Sequence, residues 1–104
     1  MADSNPVDIL CRCRVKPGKE SEFTQSSTAH WKVLHDAGLS TDEPARLQRA
    51  TDRSGNVAFI EQFAWKDADS SGVAHQTEAV MKLWEPMGAL CEDMEFWEVG
   101  PLEG

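Results

Sequence analysis

Near the start of the sequence, every second residue over positions 7–15 is apolar, namely Val7, Ile9, Cys11, Cys13 and Val15. Alternation with a period of two is typical of a β-strand that buries one of its faces. Pro17 and Gly18 follow and favour a turn. Glu20 and Glu22 come next, and acidic residues of this kind suit the first turn of a helix, where the helix dipole stabilises them. The segment therefore predicts a strand that leads directly into a helix.

The rest of the sequence predicts a complete β-α-β-β-α-β order. We expect a helix over 19–37, strands over 45–53 and 57–65 joined by a Gly-containing turn, a second helix that begins near 69–71, and a last strand over 94–99. The first helix has a stripe spaced by three and four residues (Phe23, Ser27, His30, Leu34, Ala37), and the second has another (Val73, Thr77, Val80, Trp84, Met87, Cys91). Pro86 falls inside the second helix, so we expect a kink or break near 83–85.

Two β-α-β units joined through a hairpin predict an α+β, ferredoxin-like fold, with a four-stranded antiparallel sheet and both helices on one face. The 104 residues form a single domain, residues 1–104, with its core over about 7–100. The face without helices carries Leu10, Ile60 and Trp97. Because a large apolar patch is unfavourable in water, we expect a homodimer that covers it.

Composition restricts the partners. Eighteen acidic residues against ten basic ones give a net charge of -8, which argues against nucleic acid and anionic membranes as partners. The sequence has neither a long apolar run nor a signal peptide, so we expect a cytoplasmic location and no membrane span. Cys11 and Cys13 share a strand face and Cys91 falls on the predicted helix, so we expect reduced thiols, no metal site and no cofactor.

Several short segments resemble one known family. They are the strand before Pro17-Gly18-Lys19, the strand segment Phe59-Ile60-Glu61-Gln62-Phe63, the acidic turn at Asp67 and the helix opening Ala74-His75. Together they resemble the antibiotic biosynthesis monooxygenase-like family of the dimeric α/β barrel superfamily, over residues 7–99. The resemblance implies a dimer whose sheets face each other, with a small pocket between sheet and helices in each subunit.

The resemblance also implies a class of activity. Some members oxygenate aromatic polyketides or quinol-like substrates without flavin or metal, and others cleave haem. His75 matches the Ala-His of many members, and Glu61 matches a strand glutamate followed two residues later by an aromatic residue, here Phe63. The chain contains no tyrosine, although several oxygenases of the family place one in the pocket. Strand one lacks the asparagine of the haem-degrading branch, which argues against haem cleavage.

Three residues are candidates for catalysis. A cofactor-free oxygenase needs a base, a donor that stabilises the substrate anion, and an apolar cage. Histidine is the natural base. His75 in the first turn of the second helix lies either at the pocket rim or in solvent, and His30 on the apolar stripe is either a pocket base or a core histidine. Glu61 shares its face with aromatic residues, so it is either a pocket acid/base or part of a structural ion pair, for which Arg49 is the candidate partner.

The substrate-binding candidates are Trp65, Trp84, Met87, Phe63 and Arg49. Trp84 and Met87 are expected to form the pocket wall because a helix broken at Pro86 would leave room beneath it. Glu92, Asp93 and Glu95 are interpreted as a solvated turn.

Two functions from different classes follow. The first is a protein that binds a small apolar or aromatic molecule as a cofactor-independent monooxygenase. The alternative is a non-catalytic dimeric binding or stress-response protein. A pocket reached by both a histidine and a carboxylate favours the enzyme, whereas a closed, dry cavity without convergent polar groups favours the alternative.

Overall fold

The computed structural model describes residues 5–102, and residues 1–4 and 103–104 of the predicted domain lie outside the described residues. Its elements are β1 (Val7–Val15), α1 (Glu20–Asp36), β2 (Arg46–Thr51), β3 (Val57–Trp65), α2 (Ser70–Ala74), α3 (Glu78–Ala89) and β4 (Cys91–Val99). The β-α-β-β-α-β order is confirmed, with the second helical segment divided in two.

The four strands form one sheet in the order β2-β3-β1-β4, and every neighbouring pair is antiparallel. This is the ferredoxin-like arrangement that the sequence predicts. In the register, Cys11 of β1 lies opposite Glu61 of β3 on one side and Phe96 of β4 on the other. Glu61 in turn lies opposite Leu47 of β2.

Alternation in the strands separates two faces of the sheet. The helix-side face carries Cys11, Cys13, Phe59, Glu61, Phe63 and Trp65, and α1 and α3 pack against it. We call the opposite side the open face, and it carries Leu10 beside Trp97 as well as Ile60. Trp97 is 54% exposed. The predicted apolar patch is therefore present in the subunit.

Helix α1 buries the stripe that its sequence predicts. Phe23, Ser27, His30 and Leu34 are buried, at spacings of four, three and four residues. Ala37 is exposed because the helix ends at Asp36. Gly38 follows with a φ of 75°, a left-handed conformation that favours glycine and ends the helix.

The predicted break near 83–85 is wrong. Helix α3 continues through Pro86, and the second helical segment is interrupted earlier, between Ala74 and Glu78. Pro86 is exposed and so is Lys82, whose carbonyl would accept the hydrogen bond that proline cannot donate. Water can hydrogen-bond a carbonyl on the solvent side of a helix, so the proline is tolerated there.

The interruption also changes which residues are buried. Because α2 ends at Ala74, the helical phase does not carry over from Val73 to α3. Val73 is 48% exposed and Ala74 is fully buried in its place, while Val80 and Met87 of the predicted stripe are buried in α3.

Strand β4 begins earlier than predicted. Cys91 is its first residue and does not lie on a helix, and the predicted solvated turn at 92–95 is part of the strand. The acidic residues there have a cationic partner on β1, because the Arg12 guanidinium pairs with Asp93 at 2.9 Å and also with Glu95.

Candidate functional site

A cavity of about 400 Å³ lies between the helix-side face of the sheet and helices α2 and α3. We call it the helix-side cavity. Its lining is apolar apart from two histidines, one carboxylate, one hydroxyl and two thiols; the residues are Ile9, Cys11, Cys13, His30, Glu61, Phe63, Trp65, Ser71, His75, Trp84, Met87, Met94 and Phe96. Its volume lies within the range of small-molecule sites.

Helix α1 brings His30 into this cavity. The residue lies on the buried stripe of the helix and is only 5% exposed. Its Nδ1 lies 2.7 Å from Oε2 of Glu61, which is a hydrogen-bonding distance. The sequence predicts the inward direction of His30, and the structure supplies its partner.

The second ring nitrogen of His30 is also occupied. The indole Nε1 of Trp84 lies 2.7 Å from His30 Nε2. An indole N–H only donates hydrogen bonds, so Nε2 must accept and cannot carry a proton in this arrangement. The proton of the neutral ring is therefore on Nδ1, which donates to Glu61. We refer to Glu61, His30 and Trp84 as the cavity triad.

Glu61 lies in the middle of β3, on the helix-side face, and is 8% exposed. Its Oε2 accepts the hydrogen bond from His30, and within residues 5–102 no donor bonds its Oε1. A buried carboxylate is unfavourable unless it is hydrogen-bonded. His30 satisfies one oxygen, which leaves Oε1 free to accept a hydrogen bond from a ligand.

The predicted pairing of Arg49 with Glu61 is wrong. In the hairpin register Arg49 lies opposite Phe59, two residues from the position opposite Glu61. Its guanidinium donates to Glu20 at 3.2 Å and lies 5.7 Å from the centre of the Phe59 ring. Arg49 lines a neighbouring cavity of about 190 Å³ under α1, which shares Cys13 and Glu61 with the helix-side cavity, and Arg49 is not among the residues that line the helix-side cavity.

His75 lies at the rim of the helix-side cavity and is exposed. Its predicted place in the first turn of a helix is wrong, because it caps the C-terminal end of the short helix α2. The ring lies 5.0 Å from Trp84, edge to face. His75 therefore contacts the cavity triad through Trp84 and forms no hydrogen bond with Glu61 or His30.

The four apolar residues predicted to bind substrate, Phe63, Trp65, Trp84 and Met87, all line the cavity. Phe63 and Trp65 meet edge to face at 5.0 Å, and Trp65 lies 6.4 Å from Trp84. Phe96 also lines the cavity and is 64% exposed, which places it at the opening. Sequence reasoning missed Phe96 and Met94, although their positions along β4 place them on the helix-side face.

Two thiols lie in the floor of the cavity, where Cys11 and Cys13 have their Sγ atoms 3.4 Å apart. The hydrogen bond to Cys11, together with burial, raises the pKa of the Cys13 thiol. Burial also raises the pKa of Cys91 to about 12. Protonated thiols are poor nucleophiles and poor metal ligands. Within residues 5–102 no group of three or more metal-binding side chains is present.

One further histidine forms a similar pair outside the cavity. Nε2 of His35 lies 2.8 Å from Oδ1 of Asp42, and the Asp42 side chain is fully exposed. The ring stacks on Trp31 at 4.6 Å. This pair has the same chemistry as His30 and Glu61 but lies in solvent.

No protein-family model and no curated protein sequence match the chain. Solved structures do match it. SnoaB, a cofactor-independent oxygenase from Streptomyces nogalater, superposes with a TM-score of 0.68 at 18% identity, over 96% of each chain. PA3566 from Pseudomonas aeruginosa superposes with a TM-score of 0.70 at 15% identity, over 98% of this chain and 99% of that chain. A structure described as an antibiotic biosynthesis monooxygenase superposes with a TM-score of 0.68 at 12% identity, over 92% of this chain and 98% of that chain.

At these identities the similarity establishes the fold. The chain has the α+β fold of the antibiotic biosynthesis monooxygenases, and the resemblance seen in the sequence is confirmed at that level. None of the helices in residues 5–102 has the length and apolar character needed to cross a membrane.

Proposed function

We propose that this protein binds a small aromatic or quinol-like molecule in the helix-side cavity and oxygenates it without a cofactor. The observation that carries the proposal is the buried pair of His30 and Glu61, joined at 2.7 Å and lining an otherwise apolar cavity of about 400 Å³. A histidine and a carboxylate both reach the cavity, which is the feature that distinguishes the enzyme from a closed barrel. The similarity to SnoaB supports the same proposal.

The first step is removal of a proton from the substrate. A phenol or an activated C–H group placed at Glu61 Oε1 gives its proton to that oxygen, which has no other donor in the described chain. His30 holds the carboxylate in place through Nδ1–H. The aromatic walls exclude water, which strengthens the hydrogen bonds made to the substrate anion.

The second step uses the electrons of the substrate anion. An activated CH₂ group reacts with one O₂, one oxygen atom becomes the carbonyl oxygen of the product, and the other leaves as water with the two hydrogen atoms of the CH₂ group. The substrate is oxidised and O₂ is reduced, so the chemistry needs no flavin or metal. The protein supplies the base and an apolar cavity.

We also propose that two subunits pack through their open faces, with Leu10, Ile60 and Trp97 of each in the interface. A two-fold dimer removes these side chains from water on both copies at once. The cytoplasmic location stays a prediction.

The alternative function, non-catalytic binding, is favoured by one observation. Trp84 donates to the only lone pair of His30 that could accept a substrate proton. His30 thus has both ring nitrogens hydrogen-bonded, as expected for a structural network in a core.

The experiment that separates the two candidates combines binding with oxygen consumption. The protein is titrated without oxygen with a panel of phenols, hydroquinones and anthrones, and quenching of tryptophan fluorescence reports binding near Trp65 and Trp84. Oxygen uptake is then measured for the wild type, Glu61→Gln and His30→Gln. His35→Gln is the matched control, because His35 pairs with a carboxylate outside the cavity.

The oxygenase predicts uptake that Glu61→Gln reduces by about 10²-fold or more, as is usual when a general base is lost, with His35→Gln unchanged. Binding without oxygen uptake by any compound supports the non-catalytic alternative. Absence of binding contradicts both functions.

A further inference from the structure

The helix-side cavity carries one negative charge, and no lysine or arginine in its lining neutralises it. The hydrogen bond from Trp84 to Nε2 fixes His30 as the neutral ring with its proton on Nδ1. The pair of His30 and Glu61 therefore has the single negative charge of the Glu61 carboxylate. That carboxylate is 8% exposed, so solvent screens its charge weakly.

No positively charged side chain of the described chain offsets this charge from within the cavity. The lining contains neither lysine nor arginine. Arg49 and Glu61 both line the neighbouring cavity of about 190 Å³, but the Arg49 guanidinium donates to Glu20 at 3.2 Å and makes no hydrogen bond with Glu61. The other titratable groups in the lining are His75 at the rim and the thiols of Cys11 and Cys13, of which Cys13 has its pKa raised.

The walls around the carboxylate are aromatic. Phe63, Trp65 and Trp84 form a connected cluster with ring separations of 5.0 and 6.4 Å. Faces of aromatic rings attract cations, and tryptophan does so most strongly. A cavity with several aromatic walls, one carboxylate and no basic residue has the composition of a site for an organic cation.

We propose that the ligand of the helix-side cavity is an aromatic ammonium compound, whose N–H group donates to Glu61 Oε1 while its ring packs against Trp65 and Trp84. This inference rests on the proposed function in one respect, that the cavity is a ligand site. It adds the charge of the ligand. Because the ammonium group occupies Glu61 Oε1, a ligand held in this way does not give a proton to that oxygen, so the inference specifies binding and not the proton-transfer step. Aromatic carboxylates are excluded because they would place a second negative charge beside Glu61.

The test uses three ligands that share one ring system and differ in charge: 2-naphthylmethylamine, 2-naphthalenemethanol and 2-naphthoate. Each is titrated into the full chain at one pH and ionic strength. Binding is followed by NMR through the indole N–H resonance of Trp84, which reports on the cavity itself. The same series is repeated with Glu61→Gln, with Asp42→Asn as a carboxylate control on the surface, and with His75→Gln to remove the histidine at the rim.

We expect the ammonium compound to bind about tenfold or more tightly than the alcohol, because a buried charge pair is weakly screened, and the carboxylate not to bind. Glu61→Gln should bring the amine and the alcohol to similar affinities, whereas Asp42→Asn and His75→Gln should keep the preference.

Equal or tighter binding of the alcohol or the carboxylate to the wild type overturns the inference and leaves the proposed binding function intact. A preference that survives Glu61→Gln also overturns it, because the net charge of the whole protein would then be its source. If none of the three compounds binds, the result contradicts both this inference and the proposal that the helix-side cavity is a ligand site.

Discussion

The indole nitrogen of Trp84 donates a hydrogen bond to Nε2 of His30 across 2.7 Å, and this contact determines the tautomer of the histidine. The two residues lie on different helices, α3 and α1, and they meet above Glu61 on β3. The cavity triad therefore joins both helices to the sheet. It also leaves Glu61 Oε1 as the polar atom best placed to meet a ligand.

Replacing Trp84 with phenylalanine tests the tautomer. The change removes the indole donor, so Nε2 of His30 loses its partner and the ring is no longer restricted to the Nδ1–H form. Nitrogen NMR of the imidazole should show a single Nδ1–H tautomer in the wild type and a mixture or a protonated ring in Trp84→Phe. We expect a loss of about 1–3 kcal/mol in the free energy of unfolding from the buried acceptor left without a donor.

Trp31→Phe is the matched control for this change. The indole nitrogen of Trp31 is buried and has no hydrogen-bond partner among the described residues, so removing it breaks no hydrogen bond. If Trp84→Phe leaves the His30 tautomer unchanged and destabilises no more than Trp31→Phe, the hydrogen bond does not hold the ring.

The interaction between His30 and Glu61 is measurable by a double-mutant cycle with His30→Ala and Glu61→Ala, because a glutamine amide oxygen would still accept the hydrogen bond. A hydrogen bond to a buried carboxylate predicts a coupling energy of about 1.5–3 kcal/mol in denaturant unfolding. Glu78 and Lys82 form an exposed ion pair one helical turn apart and serve as the control, for which about 0.3–0.5 kcal/mol is expected. Equal coupling in the two cycles would show that burial adds nothing to the His30 contact.

The half-buried thiol of Cys91 predicts a loss of stability in alkaline solution. In the unfolded chain Cys91 loses its proton near its ordinary pKa of 9.0, whereas burial raises its pKa in the folded protein to about 12. Between these values the unfolded state has released a proton that the folded state keeps, so the free energy of unfolding falls as the pH rises. Urea unfolding from pH 8 to 11 should show a shallower fall in Cys91→Ala than in the wild type. Parallel curves would contradict the raised pKa.

The proposed dimer depends on the open face. Trp97→Lys places a charge where the two sheets would meet, so light scattering should report a dimer for the wild type and a monomer for the variant. Val73→Lys is the control, since Val73 is similarly exposed but lies on α2, away from the open face. A wild type that is monomeric at micromolar concentration, or a variant Trp97→Lys that remains dimeric, would contradict the proposed interface.

β1, β3 and α1 were predictable because each has one buried face with a regular period, whereas β2 and β4 contain no buried residue. Buried residues alternate with less buried ones from Cys11 to Cys13 and from Glu61 to Trp65, and the stripe from Phe23 to Leu34 keeps helical spacing. The second helical segment was not predictable in the same way. Its apolar residues from Val73 to Cys91 keep the spacing of a single helix, so the sequence pattern does not reveal the interruption between α2 and α3.

The direction of individual side chains in the site was predictable from the sequence, but their contacts with one another were not. The helical spacing of α1 correctly predicts that His30 points toward the sheet. The alternation of side chains along β3 correctly places Glu61, Phe63 and Trp65 on one face. Their pairing depends on how α1 lies across the sheet, which no local pattern contains. The choice of Arg49 as the partner of Glu61 failed for a related reason, since the hairpin register places Leu47 opposite Glu61.

The most direct measurement is a crystal structure of the protein soaked with hydroquinone. If the helix-side cavity is the ligand site, the ring lies against Trp65 and Trp84, with one hydroxyl within about 3 Å of Glu61 Oε1. A structure in which side chains fill the space at Glu61 and His30, or in which the ring binds only elsewhere on the protein, would contradict the proposed function.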